Sequence, residues 1–331
     1  MLSKHAKSPC CRARVRRFGG KRRQCVRCRR TWTIRPKKRG RPLKRAPPNL
    51  LDAVFREGYA LRYLAQRRGH LTPQTFRHRF RQALRRFVAR PRTIKLPRGS
   101  LILLLDGIRF QFAGRTWVLY QLALKSCHGK TAIFLDPTLL EGREGAKNWE
   151  QIILAIPAKV RARIRGVVVD NLRGMELLAK RHRWALQLCQ FHLIMKLQVH
   201  PRWQRRALKG GNIRFEIYRL VREALTASEG PELDSLLQQL HLIAKTSGAT
   251  RRIRAMVREF IRCAAYYRTC RKYPKLGLPA TTNAVESMNC IVRDLLRRNR
   301  SASSPEALHL WATALIRHRS MIACNGKTST D

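Results

Sequence analysis

Three acids carry the chemistry that this sequence could perform. Asp106 closes the apolar run Leu101-Ile102-Leu103-Leu104-Leu105, Asp170 closes Val167-Val168-Val169, and Glu286 follows Thr281-Thr282-Asn283-Ala284-Val285. A carboxylate at the end of a buried strand is costly to ionise unless a cation lies against it. Two such strands and a third carboxylate describe a pocket for a divalent metal, and a hard cation selects oxygen ligands. Acids are otherwise scarce, 19 Asp+Glu against 71 Lys+Arg, and the formal net charge is +52. The partner expected of such a chain is a polyanion, above all a nucleic acid.

A second set of candidate ligands lies near the start. Cys10, Cys11, Cys25 and Cys28 cluster, and Cys25-Val26-Arg27-Cys28 is a CxxC knuckle followed by the strand-like Arg29-Arg30-Thr31-Trp32-Thr33. That pattern describes a zinc ribbon. The first half is irregular, because adjacent cysteines seldom both reach one tetrahedral metal comfortably. His5 is an alternative fourth ligand, and a degenerate ribbon with free thiols is the other outcome. The six remaining cysteines are scattered, as in a reducing compartment.

Charge of this size also occurs on membrane-surface proteins. No stretch approaches the roughly 18 apolar residues of a transmembrane helix. The start, Met1-Leu2-Ser3-Lys4-His5, lacks the apolar core of a signal peptide. A cytoplasmic protein is expected, and at 44% hydrophobic it can bury a real core.

The elements that must position these residues follow in order. Residues 1–35 form the zinc-ribbon-like segment, too poor in apolar side chains to fold without a staple. Residues 36–48 are a Pro- and Gly-interrupted basic linker. Within it Arg39-Gly40-Arg41-Pro42 resembles an AT-hook core, whose arginines enter a narrow A·T-rich minor groove. A solvated linker touching phosphates non-specifically is the alternative. Residues 49–90 read as three short helices, the last opened by Thr72-Pro73 and carrying Gln74, Arg77, His78, Arg81 and Arg85. They fit a helix-turn-helix with Gln74 and Arg77 near base edges, or else a helical hairpin packed on the next domain. Because the strands begin after Gly99, residues 1–90 should be removable without unfolding the rest.

From residue 99 the pattern alternates. Strands are expected at 101–106, 116–124 and 130–135, a helix at 149–160, a strand at 166–170, a helix at 175–183 and a strand at 184–188. Three strands in meander followed by helix, strand, helix, strand is the order of an RNase H-like α/β fold. Residues 99–195 would form its first part and residues 279–320 its closing helices. Helical periodicity at 213–225, 231–244 and 251–267 fills the interval with an all-α insertion, 196–278. Its basic face would be Arg251, Arg252, Arg254, Arg258, Arg262 and Arg268.

Asp106-Gly107, Asp170, Cys189-Gln190-Phe191-His192 and Thr282-Asn283-Ala284-Val285-Glu286, in that order, resemble the signature of DDE transposases of the bacterial insertion-sequence and Mutator-like type. Asn171 departs from it, standing where that group often has glycine. The resemblance spans roughly residues 1–320. It implies an enzyme that binds element ends, cleaves DNA strands and transfers them, working as a homodimer or higher oligomer at the bacterial nucleoid. It further implies that Asp106, Asp170 and Glu286 are the catalytic acids, holding two Mg2+ (or Mn2+) ions with Asp106 bridging. Two such ions can activate a nucleophile and stabilise the leaving 3′-oxygen. Cys189, His192 and Asn283 would support them, and Arg293, Arg297, Arg298 and Arg300 would meet phosphates.

Competing residues are present. Glu141, Glu144 and Glu150 could supply the third acid but lie before Asp170 in the chain. Asp136 ends an apolar run but should point away from the metals. Cys189 and His192 are too few for a closed zinc site. They could orient DNA, hydrogen-bond near the acids, or form a buried structural pair. Two other functions compete: a catalytically silent DNA-binding regulator derived from a transposase, and an RNA-binding or ribosome-associated basic protein. Neither requires two strand-end aspartates and a distant glutamate.

Overall fold

The computed structural model describes residues 7–18, 22–33, 50–68, 72–198, 209–300 and 303–324. Arg39, Arg41 and His5 lie outside the described residues. The chain divides into two compact units, 1–52 and 53–331.

The first unit holds a three-stranded antiparallel sheet of β1 (Val15–Arg17), β2 (Arg22–Cys25) and β3 (Thr31–Thr33). Arg12 and Arg29, with φ of 49° and 57°, adopt the left-handed conformation that turns each cysteine knuckle. Ser8 Oγ accepts from the Cys11 and Ala13 N–H groups and holds the first turn.

In the second unit three helices come first, of which α1 (Leu50–Phe55) begins in the preceding unit. After it come α2 (Leu61–Arg68) and α3 (Pro73–Ala89). Thr72 caps α3 by accepting from Thr75 N–H at 3.2 Å, and Pro73 opens the helix. Then come β4 (Leu101–Phe112), β5 (Arg115–Ser126), β6 (Thr131–Phe134), β7 (Thr138–Glu141), α4 (Ala146–Leu154), α5 (Ala158–Arg161), β8 (Ile164–Val169), α6 (Met175–Arg181), β9 (Ala185–Leu188) and α7 (Gln190–Leu197). Helices α8 (Gly211–Thr226), α9 (Pro231–Lys245), α10 (Arg251–Tyr267), α11 (Thr269–Lys272), α12 (Asn283–Asn299) and α13 (Pro305–His318) follow, and β10 (Met321–Ala323) ends the described elements.

The protein is therefore mixed α/β. Its larger sheet runs β10-β6-β5-β4-β8-β9, with β7 also paired to β5. The meander β4–β5–β6 is antiparallel, whereas β8 and β9 run parallel to β4. Three boundaries differ from the sequence expectation. β4 does not stop at Asp106 but continues to Phe112, because Ile108, Phe110 and Phe112 alternate with Arg109 and Gln111 and pair along all of β5. β7 adds a short strand to the outer half of β5. The helix expected at 149–160 is two, because Pro157 stands at the start of α5 and cannot continue α4.

Alternation along β4 sorts its side chains. Leu101, Leu103 and Leu105 join Val167, Val169 and the helices α4, α6, α7, α8, α9 and α10 in one large core. Ile102, Leu104 and Asp106 face the other way, where α12 packs against β4 and β5. Arg268, expected on a basic DNA face, is instead buried, donating to Ala224 O and to Ala227 O (2.8 Å). It satisfies carbonyls at the end of α8, the groups a helix C-terminus leaves open. Arg251, Arg252, Arg254, Arg258 and Arg262 are exposed as expected.

The helices before residue 90 do not stand apart from the sheet unit. Phe55 and Phe80 meet Trp311 of α13, at ring-centroid distances of 6.4 and 5.2 Å. Arg317 of α13 donates to Val88 O and Arg90 O. Asn299 Oδ1, at the end of α12, accepts from Leu61 N–H at 2.9 Å and so caps α2 from outside. Asp136, set aside as a ligand, is taken up by Arg92 and Arg317 at 2.7 and 2.5 Å.

Candidate active site

Parallel pairing brings the first two acids to one level. Leu104 pairs with Val168, so Asp106 and Asp170, each two residues further on, reach the same end of adjacent strands. Glu286 arrives in the first turn of α12, where Glu286 N–H donates to Thr282 O at 3.0 Å. Thr282 is fully buried; its hydroxyl and N–H both donate to Cys189 Sγ, at 3.2 and 3.3 Å. This pair ties the start of α12 to the start of α7, which explains why Cys189 is buried and uninvolved with solvent. Cys189 thus serves as the structural half of the Cys-x-x-His pair.

His192, one turn into α7, is the other half. Its Nε2 lies 2.7 Å from Glu286 Oε1 and its Nδ1 3.6 Å from Asp170 Oδ1. Burial alone would depress its pKa. Contacts with Cys189 and Glu286 and the charge of Asp170 outweigh burial and push it up to about 11. The histidine is an imidazolium held between two carboxylates. Glu286 responds in kind: burial opposes its ionisation, but His192 and Asp106 hydrogen bonds hold its pKa down. Asp106 goes the other way. It is 9% exposed, and burial together with the charge of Glu286 raises its carboxyl well above the ordinary range.

These groups line one cleft of about 1340 Å³, with Asn283, Arg293 and Arg297 along α12 and Arg109 on β4. Arg293 and Arg297 are exposed there, Arg297 pairing with Asp294 at 2.7 Å. Gln74, Arg77 and Arg81 are exposed on α3, whose Phe76, Phe80 and Leu84 face inward. A second cavity of about 510 Å³ lies between α6 and α10 and contains none of the three acids.

One further acid belongs to the cleft. Glu144, before α4, lies against Gly107 and accepts from Trp149 Nε1 at 3.1 Å. A Cβ on residue 107 would lie 2.9 Å from Glu144 Cδ, closer than real Cβ contacts allow, so a larger residue here would have to push the Glu144 carboxyl aside. Burial raises the Glu144 carboxyl and Asp170 adds to it, although the Trp149 hydrogen bond opposes both. The only sequence signal for Glu144 was its membership of the trio 141, 144 and 150. Glu141 pairs with Arg115, and Glu150 with Arg181.

The carboxylates fit a divalent cation; protonated His192, set among them, would hold them in place and not itself ligate. Asp106, His192 and Glu286 each offer an atom within 4.8 Å of the others, and Asp170 borders the group. Burial, with the charge of Glu286 added to it, makes Asp106 resist ionisation, and added positive charge would favour its carboxylate form. Cys10, Cys11, Cys25 and Cys28 also gather within 4.8 Å, with Cys10 and Cys28 sulfurs 3.3 Å apart. The adjacent pair reaches the cluster because Arg12 turns the chain immediately after it. Cys25 is held down at about 6 by the Cys28 backbone N–H and by Ser8. Four sulfurs so placed could hold one zinc. In comparison with known proteins, no family model and no curated protein matches this chain.

Proposed function

We propose that the protein is a DDE-type transposase, binding the ends of a DNA element and catalysing strand cleavage and strand transfer. The observation that carries this reading is the meeting of Asp106, Asp170 and Glu286, far apart in sequence, in one arginine-rimmed cleft. The strand order, with the meander followed by two parallel strands, supports an RNase H-like core. Helices α8, α9 and α10, between β9 and α12, support an all-helical insertion in it.

Asp106, Asp170 and Glu286 would hold Mg2+ or Mn2+, which when bound activates the attacking oxygen and stabilises the leaving 3′-oxygen. The protein's own side chains do the remaining work. Arg293 and Arg297 offer guanidinium groups to phosphates entering the cleft. His192 orients Glu286 and Asp170 by lying between them. The Cys189–Thr282 pair fixes the turn that delivers Asn283 and Glu286. Gln74, Arg77 and Arg81 on α3 would read the element end in the major groove. The four-cysteine ribbon, loaded with zinc, would add a second DNA contact. Transposition joins two ends, so two or more copies would assemble on DNA.

The test is strand cleavage of DNA carrying the element ends, with and without Mg2+, by the full chain and by Asp106→Asn, Asp170→Asn and Glu286→Gln. Mg2+-dependent cleavage lost in all three variants, with DNA binding retained, is expected. Full activity of Glu286→Gln, or binding without cleavage by the unaltered chain, would reject the reading; the latter describes a silent regulator.

A further inference from the structure

α12 buries Val285, Met288, Val292, Leu295 and Leu296, and the stripe is interrupted by Asn289, which is completely buried. A buried amide costs free energy unless its hydrogen bonds are made. Leucine at this position would simply continue the apolar face. The Asn289 side chain makes one hydrogen bond, from Nδ2 to Asp106 Oδ2 at 2.5 Å, and Oδ1 has no partner among the described residues. The second oxygen, Asp106 Oδ1, accepts from Gly107 N–H at 2.8 Å. Each oxygen of this carboxylate is thus held by a neutral donor, one from its own strand and one from the helix that bears Glu286.

We infer that Asn289 is a positioning residue for the metal centre: it fixes the plane of the Asp106 carboxylate and locks it to α12, one turn beyond Glu286. The inference rests on the metal-centre reading given above. The amide suits the task because it is neutral. Lysine or arginine here would bring its own positive charge and compete with a cation, whereas asparagine occupies one lone pair and adds no charge. The three-residue spacing keeps Glu286 and Asn289 on neighbouring parts of one helical face. One rigid turn therefore sets the distance between two acids that arrive from unconnected elements. Loss of a hydrogen-bonding partner behind a metal ligand typically weakens metal binding by about 10- to 100-fold.

The experiment is Mn2+ titration of the full-length chain by calorimetry, without DNA, beside thermal unfolding without metal. Asn289→Leu should bind Mn2+ at least about tenfold more weakly, with an unfolding temperature equal to or above that of the unaltered chain. A merely structural asparagine would move the unfolding temperature and leave the affinity alone. If the leucine variant does not fold, Asn289→Ala removes the same donor without added bulk. Affinity unchanged in the folded variant overturns this inference and leaves the metal centre standing. No Mn2+ binding by the unaltered chain, or binding that survives Asp106→Asn, overturns the metal centre and this inference with it.

Discussion

At Gly107 a single methyl group would test how tightly the acids are packed, since its carbon would lie 2.9 Å from Glu144 Cδ. Gly107→Ala should displace the Glu144 carboxyl and so cost about 1 kcal/mol through its lost Trp149 hydrogen bond. In a Glu144→Ala background the same change should cost little in chemical denaturation, whereas simple additivity would show that the two residues do not compete for space. His192 makes a pH prediction. Its pKa is raised from 6.5 to about 11, so the folded state holds a proton that the unfolded chain releases. The resulting stabilisation is fully present below pH 6.5 and is lost as pH rises through about 11. Asp106, also raised, adds loss in the same direction as pH climbs above the ordinary carboxyl range. In EDTA the unfolding temperature should fall with rising pH across that window, and His192→Gln should flatten the fall. The three acids were legible in the sequence because scarce carboxylates stood at the ends of apolar runs. Glu144 was not, because its place depends on a glycine 37 positions earlier, 144 minus 107. Asn289 did leave a trace, a polar residue within the apolar stripe of α12.

At the scale of elements, the order of strands and helices could be read from periodicity, and the boundaries could not. The β4–β5 hairpin extends past Asp106 because Ile108, Phe110 and Phe112 alternate with Arg109 and Gln111 and pair with β5 to its start, an alternation that Asp106-Gly107 interrupts in the sequence. The expectation that residues 1–90 are separable does not foresee the contacts those residues make, because an amphipathic helix does not announce what its apolar face will meet. Here Phe55, Phe80 and Leu84 are buried, the two phenylalanines against Trp311. A chain starting at residue 91 should therefore unfold or aggregate, whereas one starting at residue 50 should keep a cooperative transition. Phe80→Ala, in the middle of that contact, should destabilise by about 3–5 kcal/mol. Circular dichroism melts of the two truncations decide the matter; a cooperative transition in the shorter chain would contradict the packing described for α3 and α13.

Over the whole molecule the dominant quantity is charge, +52 in 331 residues. No helix among the described residues is long and apolar enough to cross a membrane. If phosphate contacts supply most of the affinity, log K should fall with log salt by about 0.9 per phosphate, for a slope on the order of 6–10. Filter binding from low to moderate salt measures it, and a slope near zero would contradict a nucleic-acid partner altogether. Removal of residues 36–45 should lower the slope and weaken all DNA alike, unless Arg39 and Arg41 enter the minor groove, in which case A·T-rich DNA suffers most.

The external cap on α2 has a mechanical meaning. Asn299 holds the first turn of α2, and Glu286 stands thirteen residues earlier on the same unbroken helix. At about 1.5 Å per residue that separation is a lever arm of roughly 20 Å. A tilt of only about 5° at the α2 end, pivoting there, would swing the glutamate by nearly 2 Å, several times the ~0.5 Å tolerance of a working site. Whatever seats itself badly against the leading helices would thereby pull an acid out of line at the opposite end of the beam.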